Sequence, residues 1–257
     1  MKSNPRLLDK VIVISGGTKG VGRAAAEAFA DEGARVVIGG RDETTARKTL
    51  ERAREVGSEA LFVHTDLTNV DDCFKLFDVA FETFGRVDGF YNYAGVTPVS
   101  PLDSCDAETF NQVMNVNFRA CFFCCQRAIQ YMRRSGGGSI VLTGSAHAWR
   151  GQKDRAAYAC SKGALLTLTE HIAYNYASDL IRCNTITLGW TMTEGEIALR
   201  KEQGTSEEEL RKIASDFSPM GKALEPKDYV EPLVYLMSDE SKYTTGTTLK
   251  VTAGIYI

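Results

Sequence analysis

Short, mostly apolar runs alternate along the chain with longer stretches of helix-forming residues. The first run is VIVIS at residues 11–15, and the next two are RVVIG from residue 35 and ALFVHTD from residue 60. Further runs begin near residues 87, 139, 182 and 247. Strands that are apolar along their whole length are buried on both faces, which is typical of a parallel sheet. The pattern therefore predicts a parallel sheet of about seven strands.

The stretches between the early runs have helical character and end in glycine. They read AAAEAFADEG, TTARKTLERAREVG and DDCFKLFDVAFETFG, and a glycine directly after a helix is a common C-terminal cap. Right-handed crossovers between the strands then give an α/β fold, a doubly wound Rossmann-type sheet with helices on both faces. A chain of 257 residues, 44% of them hydrophobic, can build one large core, so we expect a single domain over residues 1–257.

One segment breaks this alternation. Residues 194–217, EGEIALRKEQGTSEEELRKIASDF, are highly charged and form a long connection before the last strand. Long connections in compact domains are frequently functional. We therefore predict a substrate lid over residues 190–217. A solvated pair of helices without a binding role is the alternative interpretation.

Charge and composition exclude several classes of partner. The formal net charge is −3, which gives no sign of binding to nucleic acid or to an anionic membrane surface. No apolar run reaches the roughly 18 residues that a membrane span needs. The first ten residues, MKSNPRLLDK, lack the apolar core of a secretory signal. With seven cysteines, an odd number, these features indicate free thiols and a cytoplasmic protein.

Three of the cysteines lie close together, at Cys121, Cys124 and Cys125. A C-x-x-C pair can bind zinc or be redox-active, but no second pair with ligand spacing exists in the sequence. The surrounding residues have the pattern of a helix interior, where cysteine behaves as a small hydrophobic residue. We therefore predict that these thiols pack in the core and we predict no metal site.

The strongest functional motif is SGGTKGVG, which joins the first predicted strand to the first predicted helix. Gly16, Gly20 and Gly22 allow a sharp turn and let a ligand approach the backbone. The free amides and the dipole at the start of the helix attract a phosphate group. The motif therefore predicts a dinucleotide-binding loop, with a tight turn that binds nothing as the alternative.

The end of the second strand indicates which dinucleotide is bound. An acidic residue there would bond the ribose 2′-hydroxyl, but this chain has Gly40 followed by Arg41, with Lys19 in the glycine loop. Two cations and a missing acid favour a 2′-phosphate, so NADP(H) is predicted and NAD(H) remains possible. Asp42 could instead pair with Arg41, and the two cations could simply be solvated.

Candidate catalytic residues follow the fifth predicted strand. Tyr158 and Lys162 are four residues apart on a helical stretch and share one face. An ammonium group near a phenol favours the phenolate, so we expect Lys162 to lower the pKa of Tyr158, a general acid/base. Ser145 ends the strand, where its hydroxyl could bond a substrate oxygen.

These motifs together resemble the short-chain dehydrogenase/reductase family, over nearly the whole chain. The resemblance rests on SGGTKGVG, NYAG at residues 92–95, Asn117, Ser145 and YACSK from Tyr158. It implies an enzyme that interconverts carbonyls and alcohols with NAD(H) or NADP(H), through an Asn-Ser-Tyr-Lys tetrad. Tyr158 would transfer the proton, Lys162 would bind the nicotinamide ribose, Ser145 would hold the carbonyl and Asn117 would position a water.

The resemblance also implies a cofactor groove, in which Asp66 would contact the adenine. The residues expected to bind the cofactor are Gly16, Thr18, Lys19, Gly20, Val21, Gly22, Arg41, Asp66, Leu67, Asn92, Ala94, Gly95, Tyr158, Lys162, Gly189, Thr191 and Thr193. Three positions depart from the family pattern. Tyr93 replaces a usual asparagine, Leu188 replaces a usual proline, and VTAG at residues 251–254 replaces VDGG.

The substrate is the least defined part of the prediction. We expect Ser145, His147, Trp149 and Trp190 to contact it, although His147 could instead cap a loop. A polar rim of His147 and Gln152 suits a polyol or sugar, whereas an aromatic pocket equally admits a cyclic ketone.

Three functions remain open from the sequence. The first is an NADP(H)-dependent oxidoreductase acting on a ketone or secondary alcohol, and the second is an NAD-linked sugar or polyol dehydrogenase. The third is a cofactor-binding sensor or scaffold without turnover. The family resemblance further implies a homotetramer, built through two segments that are apolar on more than one face, residues 118–132 and 158–177.

Overall fold

A computed structural model describes residues 4–255 of the chain. Within that range, the strands form one sheet in which every neighbouring pair is parallel, in the order β3-β2-β1-β4-β5-β6-β7. The strands are β1 Val11–Ser15, β2 Arg35–Gly40, β3 Ala60–His64, β4 Gly89–Asn92, β5 Gly138–Ser145, β6 Ile181–Leu188 and β7 Thr248–Val251. The predicted doubly wound sheet is confirmed.

Helices cover both faces of the sheet. In chain order they are α1 Gly20–Asp31, α2 Glu43–Glu55, α3 Val70–Phe84, α4 Ala107–Met114, α5 Ala120–Ser135, α6 Ala156–Asn175, α7 Glu194–Glu202, α8 Glu207–Phe217 and α9 Val230–Met237. A π-helical segment, Asn115–Arg119, joins α4 to α5. The predicted glycine cap is present at the end of α3, where Gly85 adopts the left-handed conformation (φ 73°).

The side chains of β1 alternate between two cores. Val11 and Val13 belong to the core formed with α3, α5 and α6. Ile12 and Ile14 face the opposite core, formed with α1, α2 and α9. Successive side chains of a strand point to opposite faces, so a run that is apolar at every position requires helices on both sides.

The three clustered cysteines lie in α5 and are buried in the core that α3 shares. Cys73 of α3 lies in the same core as Cys124, and the interaction between the two thiols lowers the pKa of Cys73. The predicted packing role is thus what the structure shows for these side chains. None of the helices within residues 4–255 is long and apolar enough to cross a membrane.

The topology places a crevice at the carboxyl edge of the sheet. The β1 strand has β2 on one side and β4 on the other, so the connections after β1 and before β4 run in opposite directions along the sheet. In doubly wound folds such a switch point leaves a crevice in which ligands bind. The SGGTKGVG loop and the residues after β4, β5 and β6 all lie at this edge.

Candidate active site

A groove of about 810 Å³ runs along the carboxyl edge of the sheet. It brings together residues that are far apart in the sequence. The predicted site residues that line it are Gly16, Thr18, Lys19, Val21, Arg41, Asp66, Leu67, Ala94, Gly95, Ser145, His147, Tyr158, Lys162, Gly189, Trp190, Thr191 and Thr193. The predicted residues that do not line it are Gly20, Gly22, Asn92, Asn117 and Trp149.

The glycine loop forms one end of the groove by close backbone approach. Gly16 has φ 81°, and a Cβ on it would lie 2.9 Å from the Cα of Ala94. A Cβ on Gly22 would overlap the carbonyl oxygen of Gly16. Lys19 occupies the N-cap of α1 but makes no side-chain cap hydrogen bond. Gly20 and Gly22 thus shape the loop without lining the groove. The face of the loop that lines the groove fits a phosphate group.

The cation predicted to meet the ribose lies beside this loop. Arg41 is exposed and lines the groove. The Oδ1 of Asp42 caps α2, accepting hydrogen bonds from the N–H of Thr44 at 2.9 Å and from its hydroxyl at 2.6 Å. These bonds to Thr44 lower the pKa of Asp42. Among the described residues no ion pair joins Arg41 to Asp42; the capping carboxylate stays charged, and the nearby Lys19 also lowers its pKa.

Asp66 is fixed as a carboxylate just after β3. Its Oδ1 accepts hydrogen bonds from the Thr68 N–H at 2.9 Å and from the Thr68 hydroxyl at 2.8 Å. These bonds lower the pKa of Asp66. Its backbone N–H donates to Asp72 at 2.8 Å. The side chain is therefore ordered at the groove wall, where it can accept a hydrogen bond from a base.

Asn117 lies under the groove floor, fully buried in the π-helical segment. Its Nδ2 donates to the Val96 carbonyl at 2.8 Å and to the Ser161 hydroxyl at 3.2 Å, and its Oδ1 accepts from the Val96 N–H at 2.8 Å. A Cβ on Gly95 would lie 3.3 Å from Asn117 Oδ1 and 3.8 Å from Lys162 Nζ. Gly95 therefore lies close to both Asn117 and Lys162. The π-helical turn had no signal in the sequence; such turns frequently mark functional sites.

Lys162 and Tyr158 lie together in the centre of the groove, on α6. Lys162 Nζ donates to the Thr143 carbonyl at 2.8 Å and lies 5.6 Å from the centre of the Tyr158 ring. Burial lowers the pKa of Lys162 to about 8. Burial also raises the pKa of Tyr158, while a hydrogen bond with Ser145 and the charge of Arg155 act in the opposite direction.

The direction of the Tyr158 shift is opposite to our expectation. We predicted that Lys162 lowers the pKa of this phenol, but removal of the phenol from water has the larger effect. The ammonium group of Lys162 is itself engaged with a backbone carbonyl. The buried Tyr158 is therefore a protonated hydroxyl at neutral pH, suited to donate its proton.

Ser145 and His147 lie beside Tyr158 at the end of β5. The Ser145 hydroxyl accepts a hydrogen bond from the His147 N–H at 3.2 Å and also bonds Tyr158. The His147 ring meets the Tyr158 ring edge-on, with centres 5.8 Å apart. Burial lowers the pKa of His147, so its imidazole is neutral at pH 7. A substrate oxygen can therefore meet two hydroxyls in a site without a charged imidazole.

The other end of the groove is covered by side chains from α7 and α8. Trp190 Nε1 donates to Glu196 at 2.9 Å, and the same carboxylate oxygen accepts from Arg200 at 2.9 Å. Phe217 meets the Trp190 ring edge-on, with centres 6.1 Å apart. All four residues line the groove. Trp149, in contrast, is about half exposed and outside the groove, with the Lys250 ammonium 5.0 Å from its ring.

Two groove residues were missed as functional candidates. Tyr93 was noted only as a departure from a motif, yet it lines the groove. Arg155 also lines it, with its guanidinium held by the Asp154 carboxylate at 3.0 Å. The signal for Arg155 was its place three residues before Tyr158, at the start of the same helix.

Comparisons with known proteins agree with this geometry. A family model described as Enoyl-(Acyl carrier protein) reductase matches residues 16–256. L-rhamnose 1-dehydrogenase (NAD(P)(+)) of Azotobacter vinelandii is 34% identical, covering 98% of each chain. 3beta-hydroxysteroid dehydrogenase 1 of Eggerthella lenta is 35% identical, covering 97% of this chain and 94% of that protein.

A solved structure is similar over the same range. A variant of actinorhodin polyketide ketoreductase, crystallised with NADPH, superposes with a TM-score of 0.90 at 26% identity, covering 96% of this chain and 97% of the other. The chain belongs to the short-chain dehydrogenase/reductase family. It is accordingly an NAD(P)-dependent oxidoreductase that acts on CH–OH and C=O groups.

Proposed function

We propose that the protein is an NADP(H)-dependent oxidoreductase that interconverts a ketone and a secondary alcohol. The observation that carries this proposal is one continuous groove, with Lys19 and Arg41 at one end and Ser145, Tyr158 and Lys162 at its centre. Two cations without an acid at the ribose favour a 2′-phosphate.

The roles of the catalytic side chains follow from their contacts. When bound, NADPH would supply the hydride for reduction and NADP+ would accept it in oxidation. Tyr158 donates a proton to the substrate oxygen during reduction, and Ser145 holds that oxygen through its hydroxyl. Lys162, fixed by the Thr143 carbonyl, orients the ribose and supports the phenolate that forms. Asn117 holds the loop after β4 at Val96 and, as the family resemblance implies, would position a water for proton transfer.

A second candidate is an NAD(P)-linked dehydrogenase of a sugar or polyol. His147, Gln152 and Arg155 give the centre of the groove a polar rim, which suits a hydroxylated substrate. The L-rhamnose dehydrogenase relative supports the same class. A sensor without turnover is disfavoured, because a binding module has no need for a buried phenol beside a serine hydroxyl.

Titration of the purified protein with NADPH and with NADH, followed by nicotinamide fluorescence, tests the cofactor. We expect NADPH to bind more tightly by tenfold or more, a preference that Arg41→Ala should reduce. Arg47 of α2 is exposed and does not line the groove, so Arg47→Ala is a matched control that should keep the preference. Tighter binding of NADH would contradict the proposed specificity. A panel of ketones, sugars and polyols then separates the two candidate substrates.

The segment 190–217 acts, in this proposal, as a substrate lid. Its helices present Glu196, Arg200 and Phe217 to the groove, and Arg23 of α1 forms an ion pair with Glu194 at 2.6 Å. We further propose a homotetramer in a reducing, cytoplasmic compartment. Exposed Phe122 on α5 and the unpaired thiols support these two points. Light scattering that gives the mass of a monomer would contradict the tetramer.

A further inference from the structure

Tyr93 stands where the family usually has asparagine, and it lies between the glycine loop and the groove. Its backbone N–H donates to the Ser15 carbonyl at 3.1 Å, and that of Ala94 donates to the same carbonyl at 2.9 Å. These two bonds fix the chain after β4 beside the end of β1. The side chain lines the groove and is largely buried.

The Tyr93 ring packs directly against the start of α1. A Cβ on Gly20 would lie 2.7 Å from the Tyr93 hydroxyl, and a Cβ on Gly22 would lie 2.6 Å from its Cδ1. The two glycines therefore leave the space that this ring occupies. The Tyr91 ring lies on another side, with centres 6.1 Å apart. The phenol is thus held in one position by backbone and by a second ring.

The hydroxyl of Tyr93 meets a backbone amide of the first turn of α1. It accepts a hydrogen bond from the Val21 N–H, although burial has the larger effect and raises the pKa of Tyr93. The phenol therefore keeps its proton at neutral pH. The amides of a first helical turn have no partner within the helix, and they are the groups that hold a phosphate in dinucleotide folds.

The bond to Val21 leaves the Tyr93 hydrogen free to be donated. The only hydrogen-bond partner of this hydroxyl within residues 4–255 is the Val21 N–H, from which it accepts. A phenol that accepts a hydrogen bond from an amide and keeps its own proton can donate that proton to a further acceptor. Tyr93 lines the groove, so this donor can serve a ligand beside the glycine loop.

We propose that Tyr93 is an anchoring residue for the pyrophosphate of the cofactor. Its hydroxyl accepts from Val21 and donates to a phosphate oxygen, so that a side chain extends the reach of the helix terminus. This inference rests on the proposed function, because it needs a dinucleotide in the groove. It also gives a role to Gly20 and Gly22, which leave room for the Tyr93 side chain.

The test compares Tyr93→Phe with the wild-type chain, using two ligands. NADPH contains the pyrophosphate, whereas adenosine 2′-monophosphate carries the adenine and the 2′-phosphate without it. A hydrogen bond to a charged group is stronger than one between neutral groups, so we expect the Kd for NADPH to rise about tenfold or more in the variant. The Kd for adenosine 2′-monophosphate should not change. Calorimetry measures both without turnover.

A matched control removes a hydroxyl from another tyrosine. Tyr235 is outside the groove and its hydroxyl bonds Thr244 at 3.0 Å, so Tyr235→Phe should leave both affinities unchanged. An unchanged or lower Kd for NADPH in Tyr93→Phe would overturn the inference. Equal weakening of both ligands would also overturn it, since it would mean that the loop itself is deformed. If the wild-type chain binds neither ligand, the proposed function itself fails.

Discussion

The two ends of the groove are built in different ways. The cofactor end is formed by backbone at close range, with Gly16 against Ala94 and Gly22 against the Gly16 carbonyl. The lid end is formed by side chains on α7 and α8, where one carboxylate, that of Glu196, joins Trp190 and Arg200. Backbone packing tolerates almost no added atom, whereas side-chain contacts can be exchanged. The comparison indicates that the end at the glycine loop is rigid, whereas the end at α7 and α8 is adaptable.

The largest effect is expected at the point where the two ends meet. Tyr158→Phe removes the proton donor and should lower kcat by about 10³-fold or more, since general acid catalysis supplies roughly 10²–10⁴. The Kd for NADPH should stay within about threefold of the wild type. Steady-state kinetics and fluorescence titration measure the two quantities. Turnover that survives in this variant would remove Tyr158 from the mechanism.

A substitution in the glycine loop should damage the cofactor end. Gly22→Ala forces a methyl group onto the Gly16 carbonyl, and overpacking costs about 1–3 kcal/mol, so the Kd for NADPH should rise about tenfold. Gly195 is also helical but has nothing within 4 Å of an added Cβ. Gly195→Ala is therefore the control and should bind NADPH normally. Equal affinities of the two variants would show that the loop is not tightly packed.

The lid end should respond in substrate affinity alone. Glu196→Ala breaks the contacts with both Trp190 and Arg200, so we expect KM to rise several-fold while kcat and the Kd for NADPH change little. Glu202 is exposed on the same helix, and Glu202→Ala should have no effect. Loss of NADPH binding in Glu196→Ala would mean that the two ends are not independent.

The smallest effect concerns the pH dependence. The positive charge of Arg155 lowers the pKa of Tyr158, against the larger effect of burial. Removing that charge in Arg155→Met should raise the pKa further, so the rising limb of the alcohol oxidation profile should move to higher pH. Lys153→Met removes an exposed charge and serves as control. A limb that moves to lower pH would contradict the assignment.

Much of the fold followed from local pattern. The run VIVIS became a strand with every residue buried, because a parallel sheet between two helical layers is the arrangement that shields such a run. The glycine loop and the Tyr158 to Lys162 spacing were also readable, since each depends on residues close together in the chain. The segment over residues 190–217 stood out by its length and charge, and helices α7 and α8 lie in it; its role as a lid stays a prediction.

Other parts depended on distant residues. The direction of the Tyr158 pKa was wrong in our prediction because burial is set by the whole groove, while a sequence shows only the neighbouring lysine. Trp149 and Trp190 looked equally suitable for a substrate, but only Trp190 lines the groove. The place of Tyr93 against α1 could not be read either, because some 70 residues separate it from the glycines that make room for it.

The sequence by itself determined the elements, their order and the residue types available for chemistry, because strands, helices and turns respond to near neighbours. The tertiary structure decided which side chains meet, how deeply each is buried and therefore which pKa values shift. It decided that Asn117 lies beneath the floor at a π-helical turn, and that Tyr93 rests on the glycine loop. These contacts depend on packing across the sheet, where desolvation and close approach act between residues that are far apart in the chain.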